Sequence, residues 1–209
     1  MRLLPLPGVF QPPSDSWMLI DVLRRERLHA QASGLDLCTG SGILAIAAAR
    51  SGCATVTAVD ISRRAVLAAR LNGALNGVRI DSRRGDIYEP LRGRRFDLIV
   101  SNPPYVPTPD GQLPRHGLRR AWEGGPDGRV FLDRICRVAG GHLRPGGVLL
   151  LVHSAVAGEE ASLGALAAQG LAPEVVLRRS AKLGPVLRGR RQWLRERGLL
   201  GEATSRRCW

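Results

Sequence analysis

At 209 residues, with 44% hydrophobic and 23% charged content, the chain has the length and composition of a globular protein with a sizeable core. Its formal charge of +13 admits an anionic partner such as nucleic acid, yet Lys182 is the sole lysine among 31 basic residues, as a genome-wide bias toward Arg, Ala, Gly and Leu also produces. No apolar run approaches the ~20 residues of a membrane span, and Pro5 and Pro7 interrupt the apolar opening well short of a signal-sequence core.

The N-terminal stretch 12–28 reads as a helix capped near Asp15. "GLDLC" (34–38) reads as a strand, followed by an apolar helix over 43–52 that stops at Gly52. "ATVTAVD" (54–60) is a second strand. An amphipathic helix over 62–77 takes Ser62 as N-cap and ends at Gly77. Strands are expected at 78–86 and 95–102, a helix at 129–143, a strand at 147–153 and a helix at 159–170. The stretches 172–180 and 184–194 read as two final strands in a hairpin-like arrangement. This alternation predicts an α/β fold: a Rossmann-like, mostly parallel seven-stranded sheet with an antiparallel C-terminal strand and helices on both faces. One domain is expected, with an N-terminal helical extension (1–33), a core (34–194) and a basic tail (195–209).

The cysteines at 38, 53, 136 and 208 form no C-x-x-C pair, and no His stands at metal-ligand spacing from them. A reduced, cytoplasmic protein without a metal site is the simplest reading. The four histidines (29, 116, 142 and 153) pair with no nucleophile or metal cluster.

In open α/β sheets, ligands bind beyond the C-terminal ends of the strands. The first strand ends in "DLCTGSG" (36–42), where Gly40 and Gly42 permit a sharp turn and close backbone approach. The second ends at Asp60, 20 residues beyond Gly40, the distance at which an acidic side chain accepts ribose hydroxyls. The third ends at Gly85-Asp86, with a carboxylate suited to an adenine amino group and Ile87 beside it. The fourth ends at Asn102. Each has a plainer alternative: Asp60 can cap the helix starting near Ser62, and Asp86 can be a turn residue. Their joint spacing predicts a nucleoside-containing cofactor. NAD competes, with Ala45 standing where its fingerprint usually has a third glycine.

The longest non-periodic stretch runs from Pro103 to Gly128, beginning at "NPPYVPTP" (102–109), and loops of that length are usually functional or disordered. The order "DLCTGSG", "VDIS", "GD" and "NPPY" resembles the amino-group type of class I S-adenosylmethionine-dependent methyltransferases. The resemblance implies methylation of a planar nitrogen: adenine N6, cytosine N4, guanine N2 or a glutamine amide. The Asn102 side-chain carbonyl and the Pro103 backbone carbonyl would accept the two N–H hydrogens. Pro103 and Pro104 would fix the backbone, and Tyr105 would offer a flat face to the substrate.

"GVFQPPSDSWMLIDVL" (8–23), "NPPYVPTP" and "HGLRRAWEGGPDGRVFLDRI" (116–135) narrow the resemblance to the HemK family of protein-(glutamine-N5) methyltransferases, in its short branch. The family modifies the Gly-Gly-Gln loop of peptide release factors, and some short-branch members use a small activator subunit. The resemblance implies cofactor contacts at Ser16, Asp36, Cys38, Gly40, Gly42, Asp60, Asp86, Ile87 and Asn102. It implies a catalytic role for Asn102, Pro103 and Tyr105, which would bind substrate together with Pro104. The chain departs from the family at Cys38, where Gly is usual, and at Ser14 and Ser16, where Glu and Thr are usual. An RNA or DNA base N-methyltransferase (adenine N6 or guanine N2) is the alternative enzyme reading. Against it, 209 residues leave little room for a target-recognition region. A non-catalytic cofactor- or partner-binding domain is the third, and it would have no use for the acceptors of NPPY.

Overall fold

The computed structural model describes residues 1–12, 14–179 and 183–200. In chain order the elements are α1 (Ser14–Leu23), β1 (Ser33–Leu37), α2 (Ile43–Arg50), β2 (Thr55–Asp60), α3 (Arg63–Leu75), β3 (Asp81–Arg84), β4 (Phe96–Ser101), α4 (Val130–Cys136), α5 (Ala139–His142), β5 (Leu143–Leu151), α6 (Glu159–Ala167), α7 (Pro185–Gly189) and α8 (Arg191–Glu196). The chain divides into two compact units.

The first unit comprises Met1–Asn102 and Gly141–Val152 and carries the sheet. The strand order is β3-β2-β1-β4-β5, and every pair is parallel. β1 is central, with β2 on one side and β4 on the other, so the order reverses there and opens a crevice at its C-terminal end. β1, β2 and β4 are buried along most of their length because both faces of a parallel sheet are covered. Leu35, Leu37, Leu98, Ile99 and Val100 are fully buried. Leu23 of α1 and Ala45, Ile46 and Ala48 of α2 join Leu98 and Val100 in one core. α3 starts at Ser62, whose hydroxyl accepts from the Ala65 amide at 3.4 Å.

Two strands differ from expectation. β3 is shorter, four residues instead of nine, as suits an edge strand. β5 begins at Leu143, four residues before the expected strand 147–153, and takes in Pro145-Gly146-Gly147. The ladder to β4 absorbs those residues as an irregularity between Phe96 and Leu98. A Cβ on Gly147 would lie 3.0 Å from the Phe96 carbonyl, so a larger residue there would push the two strands apart by a few tenths of an ångström.

The second unit comprises Pro103–Gly140 and the chain from His153 onward. The helix expected over 129–143 is two short ones, α4 and α5, interrupted at Arg137 and Val138. The two C-terminal strands are corrected. The described part of 172–180 has no regular secondary structure, and 184–194 is helical, as α7 and α8. The sheet therefore has five strands among the described residues, all parallel, in place of seven with one antiparallel. Pro185 supplies the reason. It stands at the first helical position, where its fixed φ suits a helix and its missing N–H costs nothing. Leu183, Leu187 and Leu194 then recur at helical spacing and pack with Val106, Val156 and Leu200. Of the basic tail, residues 201–209 lie outside the described residues, as does Cys208.

Among the described residues, no helix is long and apolar enough to cross a membrane.

Candidate active site

The first unit gathers most of the anticipated residues along one edge. β1 pairs Leu37 with Val59 on one side and with Ser101 on the other. One residue further on, Cys38 stands between Asp60 and Asn102. The Ser101 hydroxyl donates to the Leu37 carbonyl at 2.9 Å and ties the ends of β4 and β1 together.

Asp36 organises the turn that follows. It is fully buried, and its Oδ2 accepts from the Thr39 hydroxyl at 2.5 Å and from the Ala45 amide at 2.9 Å. One carboxylate oxygen thus spans the glycine-rich loop and the first turn of α2. Among the described residues, Oδ1 has no hydrogen-bond partner. Burial pushes the carboxyl up from 3.8 to about 7 against the pull of those two hydrogen bonds. Between these values the folded protein holds a proton that the unfolded chain has released. Stability should therefore fall by ~1.4 kcal/mol per pH unit across the window from about 4 to about 7. Asp36→Asn should remove that slope from denaturant midpoints measured between those limits, and an unchanged slope would show that Asp36 does not titrate there.

Gly42, at φ +83°, packs against α3 so closely that a Cβ would lie 2.7 Å from the Ala69 Cα. Gly40, at φ +53°, faces open space, with nothing within 4 Å of its would-be Cβ. One glycine thus seals the loop onto the fold, and the other leaves room where a ligand would lie. Asn72 of α3, which belongs to no motif, is buried and donates to the Ser41 carbonyl at 2.9 Å. Cys38 has φ +57° where the HemK pattern has glycine. The left-handed conformation costs an ordinary residue ~1–2 kcal/mol, and glycine loses ~0.5–1 kcal/mol in unfolded-chain entropy. Cys38→Gly should therefore stabilise the protein slightly, by ~0.5–1 kcal/mol in a denaturant titration. A loss of stability would mean that packing by the thiol outweighs the strain.

Asp60 combines the plain role with the geometry of the functional one. Its Oδ2 accepts from the Gly40 amide at 3.0 Å and its Oδ1 from the Ser62 amide at 2.8 Å. It ties the glycine loop to the start of α3. Asp86 follows β3, with its amide donating to Glu89 Oε2 at 3.3 Å. Beside it, Ile87 is buried with φ +51°.

Asn102 closes the row. Its amide nitrogen donates to the Ser16 hydroxyl of α1 at 3.0 Å. Ser16 is buried. Nδ2 is thus spent on Ser16, and Oδ1 is the side chain's acceptor end. Ser14 is exposed, and its hydroxyl donates to Asp15.

The rest of the NPPY stretch begins the second unit. Pro103 and Pro104 are buried and Tyr105 is half-buried. The Val106 amide donates to the Trp122 carbonyl at 2.7 Å, the Gly124 amide to the Val106 carbonyl at 2.9 Å and the Thr108 amide to the Gly125 carbonyl at 2.8 Å. A Cβ on Gly124 would lie 2.8 Å from the Pro104 carbonyl, and one on Gly128 would collide with the Tyr105 carbonyl. "EGGPDG" (123–128) is thus the bed on which 104–108 lies. Glycine spacing in the loop is its only sequence signal. His116, in the same loop, is exposed.

A parallel sheet with a glycine turn, two strand-end carboxylates and a strand-end Asn defines an α/β fold of the class I methyltransferase type. Two solved structures share it. One is a ribosomal protein L11 methylase from Lactobacillus delbrueckii subsp. bulgaricus (TM-score 0.58, 25% identity, 84% of this chain and 77% of that one). The other is a Thermus thermophilus 16S rRNA N2 G1207 methyltransferase, solved with AdoMet and guanosine (TM-score 0.52, 31% identity, 71% of this chain and 37% of that one). The profile of the methyltransferase small domain family matches residues 1–112, and the chain belongs to that family.

Its relatives bear glutamine-directed names. A Methanocaldococcus jannaschii protein named as a protein N5-glutamine methyltransferase is 34% identical over 82% of this chain and 85% of its own length. A Geobacter sulfurreducens release factor glutamine methyltransferase is 38% identical over 69% of this chain, and a Bradyrhizobium diazoefficiens ribosomal protein uL3 glutamine methyltransferase is 46% identical over 56% of it. The chain matches 53% and 39% of the lengths of these two bacterial relatives.

Proposed function

We propose that the protein transfers a methyl group from S-adenosylmethionine to the side-chain amide nitrogen of a glutamine in a protein, and that the substrate is the Gly-Gly-Gln loop of a peptide release factor. The observation that carries this is Asn102, fixed at the C-terminal end of β4 with its amide held by Ser16 and its carbonyl oxygen available. The cofactor residues fit the group. Gly40 leaves open space, Asp60 offers two carboxylate oxygens beside it, and the buried Asp36 shapes the loop from below. S-adenosylmethionine, when bound, supplies a methyl group activated by a sulfonium.

Asp60 and Asp86 bind and orient the nucleoside end. Ser16, Cys38, Gly42 and Ile87 line or shape the remainder. Asn102 Oδ1 and the Pro103 carbonyl accept the two amide N–H hydrogens and draw the nitrogen lone pair out of conjugation. Pro104 stiffens the segment, and the Tyr105 ring stacks on the planar carboxamide. In the transfer the new N–CH3 bond would replace the sulfonium's S–CH3 bond and leave S-adenosylhomocysteine as a neutral thioether, and the methylated nitrogen, now acidic, would shed one proton past these acceptors to water. No separate general base is needed, because orientation supplies most of the rate. A release-factor substrate implies a cytoplasmic setting. A small activator subunit belongs to the same reading.

Tritiated cofactor incubated with a purified release factor tests the proposal. Label is expected on the Gln of the Gly-Gly-Gln loop, and none when that Gln is replaced by Glu, which has no amide hydrogens. Ribosomal protein uL3 and total RNA are the comparison substrates. Label confined to uL3 would keep the glutamine chemistry and change the protein, and label confined to RNA would overturn the glutamine reading.

A further inference from the structure

The segment after NPPY is held from a place that no motif marks. Between Val106 and the Thr108 amide, loop backbone satisfies every polar group except the Pro107 carbonyl. That carbonyl accepts from Arg190 Nη1 at 2.7 Å, 83 residues along the chain. The same guanidinium's Nη2 donates to Glu123 Oε1 at 2.6 Å. Glu123 is fully buried and Arg190 only 17% exposed, while Arg119, the other cation on Glu123 Oε1 at 2.9 Å, is 55% exposed. Among the described residues, Glu123 Oε2 has no hydrogen-bond partner.

Glu123 is itself the bridge partner of Val106 in the two-stranded contact that supports Tyr105. Arg190 joins α7 to α8, so one rigid fork reaches both strands of that contact. A buried carboxylate with one unmatched oxygen is a costly way to hold a fold, and an apolar pair would serve stability as well. What an apolar pair cannot supply is a directed bond to the Pro107 carbonyl.

We propose that Arg190 and Glu123 are positioning residues for methyl transfer: the bidentate Arg190 fork fixes the backbone of Tyr105–Pro107, and so the ring and carbonyls offered to the substrate amide. The inference rests on the reading of 102–105 as the substrate-binding segment.

The full-length chain, saturated with tritiated S-adenosylmethionine, is tested in single turnover on a purified release factor. S-adenosylhomocysteine affinity is read by calorimetry and stability by thermal unfolding. Arg190→Met should slow transfer by ~10- to 100-fold through misplacement of the segment, with cofactor affinity unchanged. Arg190→Lys keeps the charge on Glu123 but lacks the two-armed fork, and should fall between. The double variant Arg190→Met, Glu123→Met removes both buried charges. It should regain the stability lost by Arg190→Met and remain slow.

A double variant that is stable and as fast as the parent would overturn the proposal, leaving the pair a purely structural brace. That outcome is decisive even if Arg190→Met alone does not fold, and Arg190→Lys at the parent rate would overturn the proposal equally. Tyr105→Ala separates the two readings. If it transfers at the parent rate, the substrate-segment reading itself fails. If it is slow while the Arg190 variants are not, only the positioning inference fails.

Discussion

Asn102→Ala should lower kcat by ~10²-fold or more, the loss seen when one preorganised polar group at a developing charge is removed. Asn102 is held on one side by Ser16, and on the proposed reading that contact orients its carbonyl before substrate arrives. Alanine removes both the acceptor and that orientation. Ser16 loses its partner as well, which should cost ~1 kcal/mol of stability, a small effect beside the kinetic one. Cofactor affinity should change far less than kcat, because Asp60, Gly40 and Asp36 remain. The decisive comparison is single-turnover rate against S-adenosylhomocysteine affinity in the same variant. Lost affinity with a retained rate would move Asn102 from the reaction to the cofactor.

Asp60→Ala should act the other way round. On the proposed reading it removes two charge-assisted hydrogen bonds to ribose hydroxyls, at ~1.5–3 kcal/mol each, so affinity for S-adenosylhomocysteine should fall by at least ~10-fold. The structure adds a second consequence. The Gly40 and Ser62 amides lose their acceptor, and the loop that Asp60 ties to α3 loosens. A lower melting temperature should therefore accompany the weaker binding. Calorimetry on the folded variant is the check, and unchanged affinity would leave Asp60 with only its loop-tying role.

Both residues are legible in the sequence because their signal is local. A buried parallel strand is an apolar run that stops at a polar residue. Asp60 and Asn102 stand at such stops, whereas Asp36 lies one residue before the end of β1 and Asp86 follows a short polar edge strand. The spacing of Gly40 from Asp60 follows from one strand–helix–strand crossover, whose length is set by helix rise and turn. Sequence alone therefore determines the parallel α/β character and the residues of the strand-end row. It also carries the resemblance that the glutamine-directed relatives bear out.

Other features require the chain to be folded. The run 184–194 fits a strand by composition and a helix by period. Burial of Leu187 and Leu194 beside Val106 settles it as helical, because propensity differences of tenths of a kcal/mol yield to packing. Ser16 meets Asn102 across 86 residues, and Arg190 meets Glu123 across 67. Neither pair has a sequence signature, since each partner is an ordinary helix or loop residue until tertiary contact orients it. Cys38 reads as a small tolerated substitution, and only the backbone reveals that it occupies a left-handed position suited to glycine. Local patterns specify which residues end the strands, because period and turn chemistry act over a few neighbours. Which groups hold those residues in place depends on long-range packing, and only the tertiary structure decides it.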